Sequence, residues 1–331
     1  MITISIEDIQ KAKQRIEPYI NKTPIIYSNK LNMWLGHEIY FKAECFQKVG
    51  AFKSRGACNT ISWLVENKMK PGHIVSNSSG NHAQAVAWAA SIFGISSSIY
   101  MPENVSKVKA QATSSYGAEI IFCKNRKIVD EKTELASKEQ GTYWVPPFNH
   151  PQVIAGQGTA VLESLNELDN VDAIFAPCGG GGLLSGSLIT TRALDPKTKV
   201  IGAEPKNAND AAESIRKNSI QILQTTPDTI ADGARTLSIG EITFQYLRKL
   251  DEFYEIEEDE IIYWTQWLSH LLKVRVEPTS AMPMEAVKKW LSKQKSKKRV
   301  LVVISGGNID MNTMNKIWSK DYLNEIPDLH N

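Results

Sequence analysis

Behind Ser5, apolar residues recur at helical spacing as far as Tyr19, and Asp8 completes an approximate capping box with the serine. Thr23-Pro24 ends that run, Pro24–Tyr27 continues as an extended segment, and Glu38–Ala43 reads as a strand. Over Ala57–Val65 the spacing is helical again, with Ile61, Leu64 and Val65 on one face. From Ile74 onward short apolar runs alternate with longer amphipathic ones. Runs at 74–76, 97–101, 119–123 and 143–145 predict strands, and 83–93, 105–116 and 128–140 predict the helices between them. After Pro146-Pro147 the same alternation resumes: helix 156–168, buried strand 173–176, helix 183–193, strand 200–203. Residues 207–250 are less regular, with a helix over 242–249. Helices over 259–272 and 278–293 and a buried strand over 300–304 complete the pattern. Such alternation predicts an α/β fold with two open, mostly parallel sheets covered by helices. The double proline marks a crossover between the sheets. It divides a discontinuous large domain, 1–66 and 147–331, from a small domain, 67–146.

Composition narrows the function without naming it. The 331 residues hold ample core for two domains. With 38 basic and 36 acidic residues there is no excess charge, and no basic stripe points to nucleic acid. The basic run 293–299 bridges a helix and a strand and reads as a solvated turn. No apolar run reaches the length of a membrane span. Met1–Ser5 lacks the pattern of a signal peptide, and Cys45, Cys58, Cys123 and Cys178 form no CxxC pair. The expectation is a reduced, cytoplasmic enzyme without a disulfide frame or zinc site.

Four stretches carry chemistry. Lys53 lies in Phe46–Ala57, at or just inside a helix N-terminus, where the dipole and an apolar Phe52 disfavour its charge. A neutral lysine amine is a nucleophile; an ordinary solvated lysine is the plainer reading. Gly179-Gly180-Gly181-Gly182 joins a buried strand to a helix, which makes a phosphate cradle of backbone N–H groups. Close strand–helix packing would also use these glycines. So would a dinucleotide-binding oxidoreductase, with Glu204 as the ribose-binding acid, although the third fingerprint glycine is missing. Ser78-Ser79-Gly80-Asn81-His82 is a second strand-to-helix turn, able to hold a carboxylate or a ring oxygen. Within it, His82 reads as a packed histidine before it reads as a base. Ser305-Gly306-Gly307-Asn308 is a third turn, and all three lie at strand C-terminal ends, where open α/β sheets bind ligands.

A phosphate cradle, an activatable lysine and two polar turns suit a phosphorylated aldehyde held by lysine, namely pyridoxal phosphate. The chain resembles the fold-type II pyridoxal-phosphate enzymes, which are tryptophan synthase β-like, and within them the serine/threonine dehydratase and serine racemase group. The resemblance rests on Phe52–Ala57, Ser78–His82, Ile154–Thr159, the tetraglycine, Glu204-Pro205, Ala231–Gly233, Glu277-Pro278-Thr279 and Ser305–Asn308, in the family's order. It implies the cofactor in the interdomain cleft, carried on Lys53. Phe52 would pack by the ring, and Asn81 would bond its hydroxyl. Gly179 to Gly182 with Leu183 would bind the phosphate, and Ser305 would face the pyridine nitrogen. A serine there, unlike an aspartate, implies an unprotonated ring and a weaker electron sink. Ser79 would work on the ring face opposite Lys53 as a second catalytic group, and Ser78, Ser79, Gly80, Asn81 and His82 would bind substrate. Glu204, the Ala208 carbonyl and Asp210 match a divalent-cation site, Mg²⁺ or Ca²⁺, with a solvated loop as the plainer reading. Ser280 departs from the glycine the group often carries. The implied reaction is loss of water from a β-hydroxy-L-amino acid, L-threonine or L-serine, giving a 2-oxo acid and ammonia. Threo-3-hydroxy-L-aspartate ammonia-lyase and serine racemase with side dehydratase activity are the alternatives. Arg235 is the candidate partner for a second substrate carboxylate, against a surface arginine of almost equal weight, and relatives are commonly homodimers.

Overall fold

The structure, a computed structural model, describes residues 3–78, 80–103 and 105–329. α1 (Ile6–Ile16) begins as its sequence demands: Ser5 Oγ accepts the Asp8 N–H and the Asp8 carboxylate takes the Ser5 N–H. β1 (Ile25–Tyr27) is followed by α2 (Asn29–Leu35), capped by Ser28 and closed by Gly36 at φ 68°. β2 (Glu38–Ala43) leads through two short turns into α3 (Lys53–Glu66). Next come β3 (His73–Asn77), α4 (Asn81–Ile92), β4 (Ser96–Pro102), α5 (Lys107–Ser114), β5 (Glu119–Cys123), α6 (Arg126–Ala136) and β6 (Thr142–Trp144). The chain then forms α7 (Pro151–Leu165), β7 (Ala173–Pro177), α8 (Gly182–Leu194), β8 (Lys199–Pro205), α9 (Asp210–Lys217), α10 (Glu241–Leu247) and β9 (Glu252–Ile256). It closes with α11 (Glu258–Leu272), α12 (Pro278–Ala281), α13 (Pro283–Leu291), β10 (Arg299–Ile304) and α14 (Met311–Ile317).

Two sheets result. The larger has the order β1-β2-β10-β7-β8-β9, parallel throughout except for β1, which runs antiparallel to β2. The smaller, β5-β4-β3-β6, is all parallel, and its strands lie between His73 and Trp144. β10 shows why the large sheet is covered on both faces. Val300, Val302 and Ile304 pack with Phe175 and Trp264 on one side, and Leu301 and Val303 pack with Ile154 and Leu184 on the other. That is the continuous apolar run expected of a strand buried on both faces.

Several elements differ from the pattern-based expectation. α7 starts at Pro151 rather than Gly156, and Gly156 lies inside it because the helices touch backbone to backbone. A Cβ on Gly156 would sit 2.5 Å from the Arg55 carbonyl of α3. The helix expected over 278–293 is two, because Pro283 opens α13 directly after α12.

α3 is also anchored by a buried ion network. The Arg55 guanidinium donates to Glu44 at 2.7 and 2.8 Å and to Glu163 at 2.7 and 2.8 Å, and Lys42 reaches Glu163 at 2.7 Å. Arg55, Lys42 and Glu44 are fully buried. Arg55 lies two residues past Lys53, so this network fixes the helix turn that presents the lysine.

Candidate active site

Lys53 opens α3, with Phe52 at its N-cap. The loop before it is tied to the third turn: Phe52 N–H donates to the Ser305 carbonyl at 2.9 Å, and Gly307 N–H to the Gly50 carbonyl at 3.0 Å. The Lys53 ammonium is directed at the Pro147 carbonyl, 2.6 Å away, and lies 5.2 Å from the centre of the Phe52 ring. Burial draws its pKa down to about 8, and the nearby Glu277 carboxylate opposes that shift. A substantial fraction of the amine is therefore neutral near physiological pH. Pro147, which the sequence marked only as part of the crossover between sheets, supplies the acceptor that holds it.

The tetraglycine loop lies between β7 and α8, and Gly181 adopts φ 88° as the α8 N-cap. Side chains are excluded here. A Cβ on Gly180 would stand 2.1 Å from the Phe148 ring, and one on Gly182 2.4 Å from Gln157 Oε1. The first turn of α8 presents N–H groups with no intrahelical acceptor, next to the helix's positive end. Gln157 Oε1 is buried here without a hydrogen-bond partner. A nearby lysine amine and a side-chain-free anion cradle fit pyridoxal phosphate.

The second turn opens α4, and Ser78 Oγ accepts the Gly80 N–H at 3.3 Å. Ser79 lies outside the described residues. Asn81 Nδ2 donates to both Glu277 oxygens at 3.0 Å, and its Oδ1 accepts from Asn308 at 2.8 Å. Glu277, to which sequence reasoning gave no role, therefore joins the small sheet's turn to the large sheet's last turn. Burial, with the charge of Asp232 next in weight, pushes its pKa up to about 7. His82 is buried and gives Nε2–H to the Val145 carbonyl at 2.9 Å. Burial, reinforced by the charge of Lys53, pulls its pKa down to about 3, so it is neutral and packed.

Ser305 is fully buried, and its Oγ lies 2.8 Å from Ser280 Oγ. Leu183 is buried in the first turn of α8. The loop of Ala231–Ala234 lies against the tetraglycine: a Cβ on Gly179 would meet the Gly233 carbonyl at 2.8 Å. Asp232 in that loop pairs with Lys109 of α5. Arg235 is not brought into this arrangement. It is exposed, and its guanidinium donates to the Thr229 carbonyl, which is the plainer reading of that residue.

The family model described as pyridoxal-phosphate dependent enzyme matches residues 16–306. The chain belongs to this family. Among curated members of the pyridoxal-phosphate dependent enzymes, it is 42% identical over 316 residues to L-threo-3-hydroxyaspartate ammonia-lyase of Saccharomyces cerevisiae, covering 94% of this chain and 95% of that one. It is 40% identical to a serine racemase of Schizosaccharomyces pombe, covering 94% of this chain and 96% of that one. A solved threonine deaminase from T.th. superposes with a TM-score of 0.87 at 38% identity, covering 93% of this chain and 99% of the other. Relatives of this enzyme are thus ammonia-lyases and racemases with the same two-sheet α/β fold. The oxidoreductase reading falls with the family assignment. Glu204 does not sit as a ribose acceptor either, because its carboxylate takes the N–H groups of Ala211 and Ala212 at 3.2 and 2.6 Å.

Glu204 and Asp210 are both buried, and Ala208 beside them is too. Neither Asp210 oxygen makes a hydrogen bond of good geometry, although the Ile239 N–H and the Thr236 hydroxyl stand near enough to oppose the rise in its pKa. Burial raises both carboxyl pKa values, Asp210 to about 7, and the charge of Asp210 raises Glu204 further. Two carboxylates buried side by side are costly unless protonated or paired with a cation. Among the described residues no group of three or more His, Cys, Asp or Glu stands together as a metal site. A cation here would rest on these two side chains and backbone carbonyl oxygen.

Proposed function

We propose that this enzyme removes water from a β-hydroxy-L-amino acid, L-serine or L-threonine, to give a 2-oxo acid and ammonia. The observation that carries the reading is the Lys53 amine, its pKa lowered, held on the Pro147 carbonyl near a side-chain-free anion cradle. Gly179 to Gly182 and Leu183 would hold the cofactor phosphate, and Phe52, Asn81 and Ser305 would hold its ring. When bound, pyridoxal phosphate supplies the electron sink that acidifies the substrate Cα–H. The substrate carboxylate is received by the Ser78–His82 turn, at the positive end of α4. Lys53, as the neutral amine, takes the Cα proton and can return a proton to the leaving hydroxyl. Ser79 would be the second catalytic group, as the family resemblance implies. The segment 67–146 forms the small domain of a cleft completed by 1–66 and 147–331, in a cytoplasmic homodimer. The deciding assay is 2-oxo acid formation from L-serine, L-threonine and L-threo-3-hydroxyaspartate; no product from any of them would reject the reading.

A dicarboxylate substrate is the second reading, favoured by the 42% identity to the yeast hydroxyaspartate enzyme. Its second carboxylate needs a cation, since burying it unpaired is costly. Arg235 is occupied by the Thr229 carbonyl and Lys109 by Asp232. Arg235→Ala is therefore expected to change kcat/KM equally little for the diacid and the monoacids. A loss confined to the diacid would place Arg235 in the site after all.

The lysine pKa gives a separate test. Lys53 with a pKa near 8 is charged below that pH and neutral above it. Uptake of pyridoxal phosphate by the apoenzyme is expected to accelerate with pH and level off above about 8, rather than above the ordinary lysine value near 10.4. An uptake rate still climbing tenfold per unit between pH 9 and 10 would contradict this.

A divalent cation, Mg²⁺ or Ca²⁺, held by Glu204, Asp210 and the Ala208 carbonyl would relieve the buried carboxylates. Magnesium at a hundredfold excess over its Kd is expected to stabilise the chelator-treated protein by about 2.7 kcal/mol. The double variant Glu204→Gln, Asp210→Asn is expected to melt at or above the metal-free wild type and to ignore magnesium. A variant that still responds as wild type does would rule the site out.

A further inference from the structure

The tetraglycine loop is held from outside by one hydroxyl. Thr243, fully buried on α10, places its Oγ1 2.8 Å from the Gly180 carbonyl oxygen, 3.0 Å from the Gly240 nitrogen and 3.1 Å from the Gly240 carbonyl oxygen. The Gly240 N–H can only donate, so it takes a lone pair of the hydroxyl, and the one hydroxyl proton is left for a carbonyl. The Gly240 carbonyl already receives the Phe244 N–H at 2.8 Å. The Gly180 carbonyl is nearer and receives no other donor among the described residues, so the proton goes there. The Gly180–Gly181 peptide is trans, which sets its C=O and N–H on opposite sides. Drawing the Gly180 carbonyl toward α10 therefore turns the Gly181 N–H away from that helix. Among the described residues no acceptor takes this N–H. α10 also packs against the loop here: a Cβ on Gly181 would meet Leu247 Cδ1 at 2.6 Å and Thr243 Cβ at 3.1 Å.

We infer that Thr243 is a positioning residue for the anion cradle, whose hydroxyl fixes the Gly180–Gly181 peptide so that the Gly181 N–H faces a phosphate. This rests on the proposed reading that the tetraglycine receives the cofactor phosphate. Four successive glycines leave their peptides free to rotate. A definite N–H direction has to be imposed on them from elsewhere, and Thr243, 63 residues along the chain, imposes it. The peptide turned over would set the Gly180 carbonyl against the anion, oxygen facing oxygen, and would leave the Thr243 proton without its acceptor.

The test compares the affinity of the apoenzyme for pyridoxal phosphate, pyridoxal and inorganic phosphate in wild type, Thr243→Val and Thr243→Ser. Valine keeps the shape of the side chain and removes the hydroxyl. It is expected to weaken binding of pyridoxal phosphate and of inorganic phosphate at least about tenfold, the loss of one hydrogen bond to a charged group. Pyridoxal, which carries no phosphate, is expected to bind the valine variant as it binds wild type. Serine keeps the hydroxyl and is expected to hold all three as wild type does. A valine variant with wild-type affinity for both phosphates, an equal loss for pyridoxal, or a serine variant that loses as much as valine overturns the inference and leaves the cofactor reading standing. Should the valine variant not fold, the Gly181 amide proton of ¹⁵N-glycine-labelled wild type decides. It is expected to move downfield when inorganic phosphate is added, and an unmoved signal overturns the inference. Wild type that takes up neither pyridoxal phosphate nor inorganic phosphate overturns both.

Discussion

Lys53→Ala is expected to fold and to lose at least about a thousandfold in kcat/KM toward L-serine and L-threonine. Proton transfer by a positioned base is worth roughly 10²–10⁴-fold by itself. The covalent tether for the cofactor is lost as well. Stability should change little, because burial already disfavours the Lys53 charge and the amine is held by one hydrogen bond to the Pro147 carbonyl. Lys53→Arg keeps a cation but offers no neutral amine near neutral pH, so it should not rescue turnover. Steady-state rates paired with thermal melts check both halves. A folded alanine variant with wild-type turnover would remove the lysine from the mechanism.

Arg55→Ala is expected to be the most destabilising single change. It leaves Glu44 and Glu163 buried without the guanidinium that bonds both. Breaking a buried pair from one side costs about 3–5 kcal/mol. The pH dependence has a defined sign. Burial alone would raise the Glu163 pKa, but Arg55 and Lys42 outweigh it and hold the carboxyl below its usual value. A depressed carboxylate pKa contributes stability that is present above the unfolded-state value and lost as pH falls through the folded one. The margin of wild type over Arg55→Ala should therefore be largest near neutrality and shrink in acid. Denaturant melts at pH 7 and pH 4 read this out, and an equal margin at both would contradict it. Activity should fall with stability, because Arg55 lies on the same helix turn as Lys53.

The stretches that carry chemistry were legible because each combines a period change with residue types that have few other uses. A buried strand, four glycines and a helix leave little choice of geometry, and Phe52-Lys53-Ser54-Arg55-Gly56 marks the lysine. Partner relations were not legible. Glu277 meets Asn81 and Asn308 across 196 and 31 residues, a contact that no local pattern encodes. Pro147 acts through its carbonyl, which every residue possesses. β9 was missed because Glu252–Ile256 is a half-exposed edge strand whose charged residues blur the apolar run. α9 was missed because its start depends on the distant carboxylate of Glu204 rather than on a neighbouring cap. Ser280 was visible only as a departure from glycine; its bond to Ser305 required the fold.

Every step proposed for this enzyme depends on Lys53 carrying the cofactor. Borohydride reduction of the holoenzyme, followed by proteolysis and mass spectrometry, tests this most directly. A stable phosphopyridoxyl adduct is expected on the peptide containing Lys53 and none elsewhere. An adduct on another lysine, or a reduced protein with no adduct, would contradict it.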